Sequence, residues 1–255
     1  MSIFLKLLKT NLMIVAPLLR GKLFNFFIWS ACQLAVFGYV MQAFGLPGSF
    51  GLCQYAGVIG TVGLFECSRN LVHVIMDITG ERSISYYLTL PVRPWVVLLS
   101  TVCSEALVGT FLTLATLFWG KLILYNTVDL TMFSWGKLLV MIPLANIFYS
   151  VLTIVMTACV SEAAKVGDAW QRILLPLWFM GCFQFTWHSM HTVFPQCAYI
   201  MLANPVVYIM EGVRVAILGQ EGHLPWALCV SGLIVGIVGC WTIGYYGMKK
   251  RLDFV

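Results

Sequence analysis

The chain has 255 residues, of which 60% are hydrophobic and only 10% charged, with a formal net charge of +5. An ordinary soluble domain carries roughly a quarter charged residues, so this composition excludes a water-solvated fold and points to the bilayer as solvent. The positive balance does not indicate nucleic acid, because the basic residues fall in short groups beside apolar runs and not on one folded surface.

The chain opens with Ile3–Leu19, where Lys6, Lys9 and Thr10 lie on one side of an otherwise apolar helix and Pro17 stands near its end. This pattern predicts a helix over residues 1–22 lying in the membrane interface. Arg20-Gly21-Lys22 follows where a small-residue cleavage site would be needed, so no cleaved signal peptide is expected. Six apolar runs come next: Leu23–Phe44, Cys53–Met76, Trp95–Trp119, Leu138–Val160, Ile173–Phe194 and Trp226–Gly247. Each is long enough to cross about 30 Å of hydrocarbon as a helix. Between the fifth and sixth runs, residues 195–222 stay largely apolar but are interrupted at Asn204-Pro205. Short helices dipping into the outer leaflet without crossing it are predicted there. The expected fold is therefore an all-α integral membrane protein in a single transmembrane domain, with six spans, an N-terminal interfacial helix and a re-entrant segment before the last span.

Positive charge sets the orientation. With the N-terminus inside, eleven basic residues lie inside (Lys6, Lys9, Arg20, Lys22, Arg82, Arg93, Lys165, Arg172, Lys249, Lys250 and Arg251), against three outside (Lys121, Lys137 and Arg214). Both termini are therefore expected in the cytoplasm, with the chain integral to a plasma or bacterial inner membrane.

Charged residues at membrane depth cost several kcal/mol unless paired or wetted. The second run carries Glu66, Arg69 and His73, which share one helix face, and Glu105 in the third run is a candidate to answer them. Two readings stand side by side: a polar patch facing a substrate path or partner, or a buried pair that fixes helix packing. In the fifth run Gln184, His188 and His191 also share a face, but two histidines without a carboxylate make a weak metal site. Trp178, Trp187 and Trp226 read as interface anchors. Glycines 57, 60 and 63, and the ladder Gly232, Gly236, Cys240, Gly244, read as surfaces of close helix approach. The nine cysteines form no CxxC pair and no cluster with metal-ligand spacing, and they read as small apolar packing residues. The chain also lacks the phosphate-loop, HExxH and G-x-S-x-G motifs.

Two stretches carry a family resemblance. Gly80-Glu81-Arg82-Ser83-Ile84-Ser85-Tyr86-Tyr87-Leu88-Thr89-Leu90-Pro91-Val92-Arg93 resembles the cytoplasmic segment that precedes the third span in permeases of type-2 ABC exporters. Leu202-Ala203-Asn204-Pro205-Val206-Val207-Tyr208-Ile209-Met210-Glu211-Gly212-Val213-Arg214 resembles the asparagine-proline, aromatic and arginine pattern before the family's sixth span. Together with the order of the spans, the resemblance covers nearly the full length.

It implies that two such permeases, identical or closely related, pair around a central path above two copies of a separate ABC ATPase subunit. ATP and magnesium would bind that subunit, with no cofactor and no catalytic site in this chain. Residues 77–94 would be the coupling segment, with Lys6, Lys9, Glu81, Arg82, Tyr86, Tyr87 and Arg93 as ATPase contacts. Asn204, Pro205, Tyr208 and Arg214 would border the outer gate. Cargo would be a lipid, a glycolipid or glycan, or a hydrophobic small molecule; the N-terminal part lacks the basic, aromatic stretch of the long-polysaccharide exporters. The competing readings are an intramembrane lipid-modifying enzyme using Glu66, His73 or the His188/His191 pair, and a membrane scaffold or assembly protein.

Overall fold

The structure is a computed structural model that describes residues 3–81, 84, 86–87, 92–125 and 127–252. These residues form helices and connecting turns, with no strand among them. Helix α1 (Ile3–Val15) passes through a 3-10 turn at Ala16–Leu18 into α2 (Leu19–Ala35), and a π turn at Val36–Val40 leads on to Met41–Ala43. Pro17 sits in the first turn of the 3-10 segment, where its missing N–H costs little. The sequence division at residue 22 therefore falls inside a run of 41 residues, Ile3–Ala43. Such a run rises about 60 Å, twice the roughly 30 Å of hydrocarbon, so part of it extends past that layer or along its surface.

Helix α3 (Gly48–Met76) is the central post, buried along most of its length, and it continues into a π turn at Asp77–Glu81. Its glycines admit close neighbours. A Cβ at Gly60 would stand 2.9 Å from Met210 Sδ, and one at Gly63 would collide with the Tyr149 ring. Around α3 pack α4 (Pro94–Ile123) and α5 (Trp135–Cys159). Two buried phenols tie them together: Tyr55 donates to Leu117 O (2.6 Å) and Tyr149 to Gly60 O (2.9 Å).

The predicted fifth span, Ile173–Phe194, is not one helix. Helix α6 runs from Val166–Ala169 through a π turn at Trp170–Leu174 to Leu175–Phe179; a turn follows, and α7 (Trp187–Val193) starts afresh. The break has a physical cause that hydropathy does not register. Cys182 adopts a left-handed φ of 63°, and side chains from elsewhere satisfy the exposed carbonyls: Asn204 donates to Leu177 O (2.8 Å) and Gln54 to Gln184 O (3.2 Å). Non-helical backbone survives at such a place when protein covers it. Trp178 is correspondingly a core residue and not an interface anchor. It packs on Phe65 and Phe183 and lies within 3.3 Å of Thr61 Oγ1.

Helices α8 (Pro195–Met201) and α9 (Pro205–Leu218) meet at 99° across Asn204, whose Oδ1 caps α9 by accepting from Val206 N–H at 3.0 Å. Nearly all of α9 is buried. Helix α10 (Trp226–Leu252) packs on α9 and α5 through its glycine ladder, with Gly232 under the Tyr208 ring and Gly244 against Ile154 and Val155. Arg251 closes the C-terminal end of α5 by donating to the carbonyls of Thr157, Val160 and Ser161.

Among the described residues, five helical runs are long and apolar enough to cross a membrane, or six if the bent pair α8–α9 counts as one. Their outer faces are strongly apolar, with Val235, Val238 and Ile243 exposed on α10 and Met13, Ile14 and Phe24 on α1 and α2. Continuous apolar surface on this scale is compatible with an integral membrane protein.

Candidate functional site

Antiparallel packing brings the starts of α2 and α4 together with the ends of α3, α5 and α10, and the basic residues collect at this end. A buried charge cluster lies just inside it. Glu66 on α3 is 3% exposed, and its Oε2 lies 2.5 Å from Lys22 Nζ on α2. Lys22 also donates to Asn70 Oδ1 at 3.2 Å. Arg69, one turn on from Glu66, stands 3.4 Å from Glu66 Oε1 at ion-pair range, without hydrogen-bond alignment, and lies 5.0 Å from the centre of the Phe26 ring.

Lys22 entered the sequence reading only as an orientation charge. The signal for its burial was present, because Lys22, Phe26, Ser30 and Leu34 recur every fourth residue and form the buried stripe of α2. His73 is exposed on α3 at the same end. Glu105 on α4 lies beside Asn70 and Thr153, with Lys22 and Glu66 in its field. Its Oε2 is buried and has no hydrogen-bond partner among the described residues.

Beside this cluster is a cavity of about 220 Å³ between α1, α3 and α4. Lys22, Asn70, Ser104 and Glu105 form its polar wall, while Ile14 and Val15 of α1 and Leu18 of the 3-10 turn form the largely apolar one, with Asn11 beside them. His73 and Tyr87 also line it. Of the predicted ATPase contacts, Lys6, Lys9, Tyr86 and Arg93 are exposed and Tyr87 is half-buried. The Tyr86 and Tyr87 rings lie 5.9 Å apart. Glu81 ends the π turn after α3, and Arg82 lies outside the described residues.

The opposite end holds a second network. Arg214 on α9 is fully buried and donates to Phe185 O (2.9 Å), Phe183 O (2.7 Å) and Glu211 Oε1 (3.2 Å). Glu211 accepts in turn from the Trp187 and Leu224 N–H groups at 3.0 and 3.2 Å, and its Oε2 is 3.2 Å from His223 Nδ1. Two side chains thus hold the α6–α7 turn, the start of α7 and the α9–α10 connection. Sequence reasoning singled out Arg214 but passed over Glu211 and His223. Glu211 stands three residues before Arg214, the same spacing as Glu66 to Arg69, and that spacing was the available signal.

Of the predicted gate residues, Pro205 and Tyr208 border a cleft of about 460 Å³ between α9 and α10, whereas Asn204 and Arg214 face the interior network. Gln184 falls in the turn and so does not share a helix with His188 and His191. His191 stacks on Trp187 and lies 3.2 Å from the Tyr199 hydroxyl. Glu66 and His73 therefore sit at the end opposite His188 and His191. Among the described residues no three His, Cys, Asp or Glu side chains come together as a metal site. No protein-family model matches the chain, and no curated protein matches it.

Proposed function

We propose that this chain is the membrane-spanning permease subunit of an ATP-driven exporter of the type-2 ABC kind, working in a plasma or bacterial inner membrane with both termini in the cytoplasm. It pairs with a second permease, identical or closely related, and with two copies of a separate ATPase that binds ATP and magnesium. What supports the reading is the segment 202–214. The resemblance rests on its asparagine, proline, tyrosine and arginine, and in this chain the asparagine caps the new helix, the proline opens it after a 99° bend, and the arginine anchors the neighbouring turn.

In this reading α8 and α9 form the re-entrant segment on the outer side, and the cleft at Pro205 and Tyr208 borders the cargo exit. Closure of the ATPase pair pushes on residues 77–94 and on α1, through Lys6, Lys9, Glu81, Arg82, Tyr86, Tyr87 and Arg93. The starts of α2 and α4 and the end of α3 meet there, so the push rocks the bundle between two states whose populations ATP binding shifts. The cargo is a lipid, a glycolipid or glycan, or a hydrophobic small molecule.

The test is purification of the tagged chain from its native membrane in mild detergent, with identification of bound chains and an ATP hydrolysis assay. The reading expects a nucleotide-binding subunit in equal amount, and it expects Tyr86→Ala and Arg82→Ala to weaken that association without lowering membrane insertion. Recovery of the chain alone across several detergents, with no hydrolysis, would sink it.

A further inference from the structure

The cavity between α1, α3 and α4 combines features that one ligand chemistry matches. Its polar wall offers a buried carboxylate oxygen, Glu105 Oε2, that accepts no hydrogen bond. It also offers Lys22, whose ammonium has three donors and spends two of them on Glu66 and Asn70. Lys22 and Arg69 stand beside Glu66 as its ion partners, and the cluster still holds one acceptor, on Glu105, and one donor, on Lys22, apart. Asp77 lines the cavity as well and adds negative charge, its carboxylate accepting from Ile84 N–H at 2.8 Å.

This arrangement disfavours a pure anion, which would meet Glu105 and Asp77, and a pure cation, which would meet Lys22. It suits a zwitterion whose ammonium reaches Glu105 and whose phosphate reaches Lys22. A cavity of about 220 Å³ has the space of roughly seven water molecules, close to the size of a phosphoethanolamine group. The opposite wall is largely apolar apart from Asn11, and Ile14 and Leu18, 59% and 47% exposed, lead from it to the outer face of the N-terminal run, where an acyl chain would lie.

We propose that this cavity binds a phosphoethanolamine group, with Glu105 taking the ammonium and Lys22 the phosphate. The inference requires only that the chain sit in a bilayer, and it stands or falls separately from the exporter reading. A hydrogen bond to a charged partner in such a place supports about tenfold discrimination or more.

The test is native mass spectrometry of the delipidated full chain with added lipids of one acyl composition, carrying ethanolamine, N,N-dimethylethanolamine, choline or glycerol headgroups. Retention is expected to fall stepwise as ammonium donors are replaced by methyls, with ethanolamine held about tenfold above choline and glycerol. Among the described residues Glu105 forms no ion pair within salt-bridge distance, so Glu105→Leu strands no buried cation, and it is expected to bring the headgroups to near parity in a chain that still melts cooperatively. Equal retention of all headgroups by the unaltered chain, which needs no variant, overturns the proposal; so does a preference that survives Glu105→Leu. Free O-phosphoethanolamine separates the sources. Displacement of the lipid at comparable concentration assigns the site to a soluble compound, and failure to displace it assigns the site to the lipid.

Discussion

Glu66–Arg69 and Glu211–Arg214 are the same local device, a glutamate followed three residues later by an arginine on one helix, and the protein uses them in opposite ways. At the far end both members of the second pair are wholly buried, and Arg214 spends its donors on the carbonyls of Phe183 and Phe185 as well as on its glutamate. At the basic end the pair has opened: Arg69 is one-third exposed and leans over Phe26, while Glu66 takes its short contact from Lys22, 44 positions away in sequence. Spacing alone does not decide what an ion pair does. What decides is how much uncovered backbone lies beside it. The α6–α7 turn presents carbonyls that need donors, and both terminal nitrogens of Arg214 are turned to them. The regular helix around Glu66 presents none, which leaves polar capacity for a neighbouring cavity.

The largest effect is expected where both members of the pair are wholly buried. Arg214→Ala leaves Glu211 buried with a reduced set of partners and strips two carbonyls of their donors, which should cost about 3–5 kcal/mol, the usual penalty for breaking a buried pair. The fraction of folded protein recovered in detergent, read by its melting transition, checks this. Arg214→Lys should recover little of the loss, because one ammonium does not span the fork geometry that reaches both Phe183 and Phe185. A variant that melts like the parent would mean that the α6–α7 turn holds without Arg214.

Next comes Lys22→Met, which removes the close partner of Glu66 but leaves Arg69 free to swing inward. The loss should be smaller, about 1–3 kcal/mol, and Glu66→Gln in the same chain should restore part of it, since the buried charge then no longer needs a partner. Measured as a double-mutant cycle on melting temperature, a coupling near zero would dissolve the distinction between the two ends, because Glu66 would then be paired no more tightly than a surface group.

How legible the two ends were follows from the same contrast. Each long apolar run of regular backbone was readable, and the helices Gly48–Met76, Pro94–Ile123 and Trp226–Leu252 cover the corresponding predicted spans, while Trp135–Cys159 stops one residue short of the predicted end at Val160. The run Ile173–Phe194 misled because hydropathy counts apolar side chains and not hydrogen bonds. The chain leaves the helix there on donors from Gln54, Asn204 and Arg214, which lie up to 130 positions away. Glu66, Arg69 and Glu105 stood out as charges in apolar runs, but Lys22 did not, because a lysine at the edge of a span looks like an anchor. Only its phase with Phe26, Ser30 and Leu34 gave its burial away. Trp178 failed for the complementary reason, since a tryptophan near a predicted span end is an anchor only if the helix reaches the surface there.

The smallest effect belongs to a carboxylate that the solvent screens. Asp129, in the connection between α4 and α5, accepts from the Thr131 N–H at 2.9 Å and from its hydroxyl at 2.8 Å. The backbone hydrogen bond first, then the hydroxyl, hold its carboxyl below the ordinary aspartate range, with Lys121 adding a little. A depressed folded-state pKa contributes order that is fully present above the unfolded value, near 3.9, and is lost as pH falls through the folded one. Amide exchange across residues 127–135 should therefore be flat from pH 7 to about pH 5 and should quicken, beyond its intrinsic pH trend, only below about pH 4. In Asp129→Asn that acid step should vanish while global melting stays put. Should the step instead appear at neutral pH, the carboxyl is not held by Thr131, and the exposed control that separates screened charges from the two buried pairs is lost.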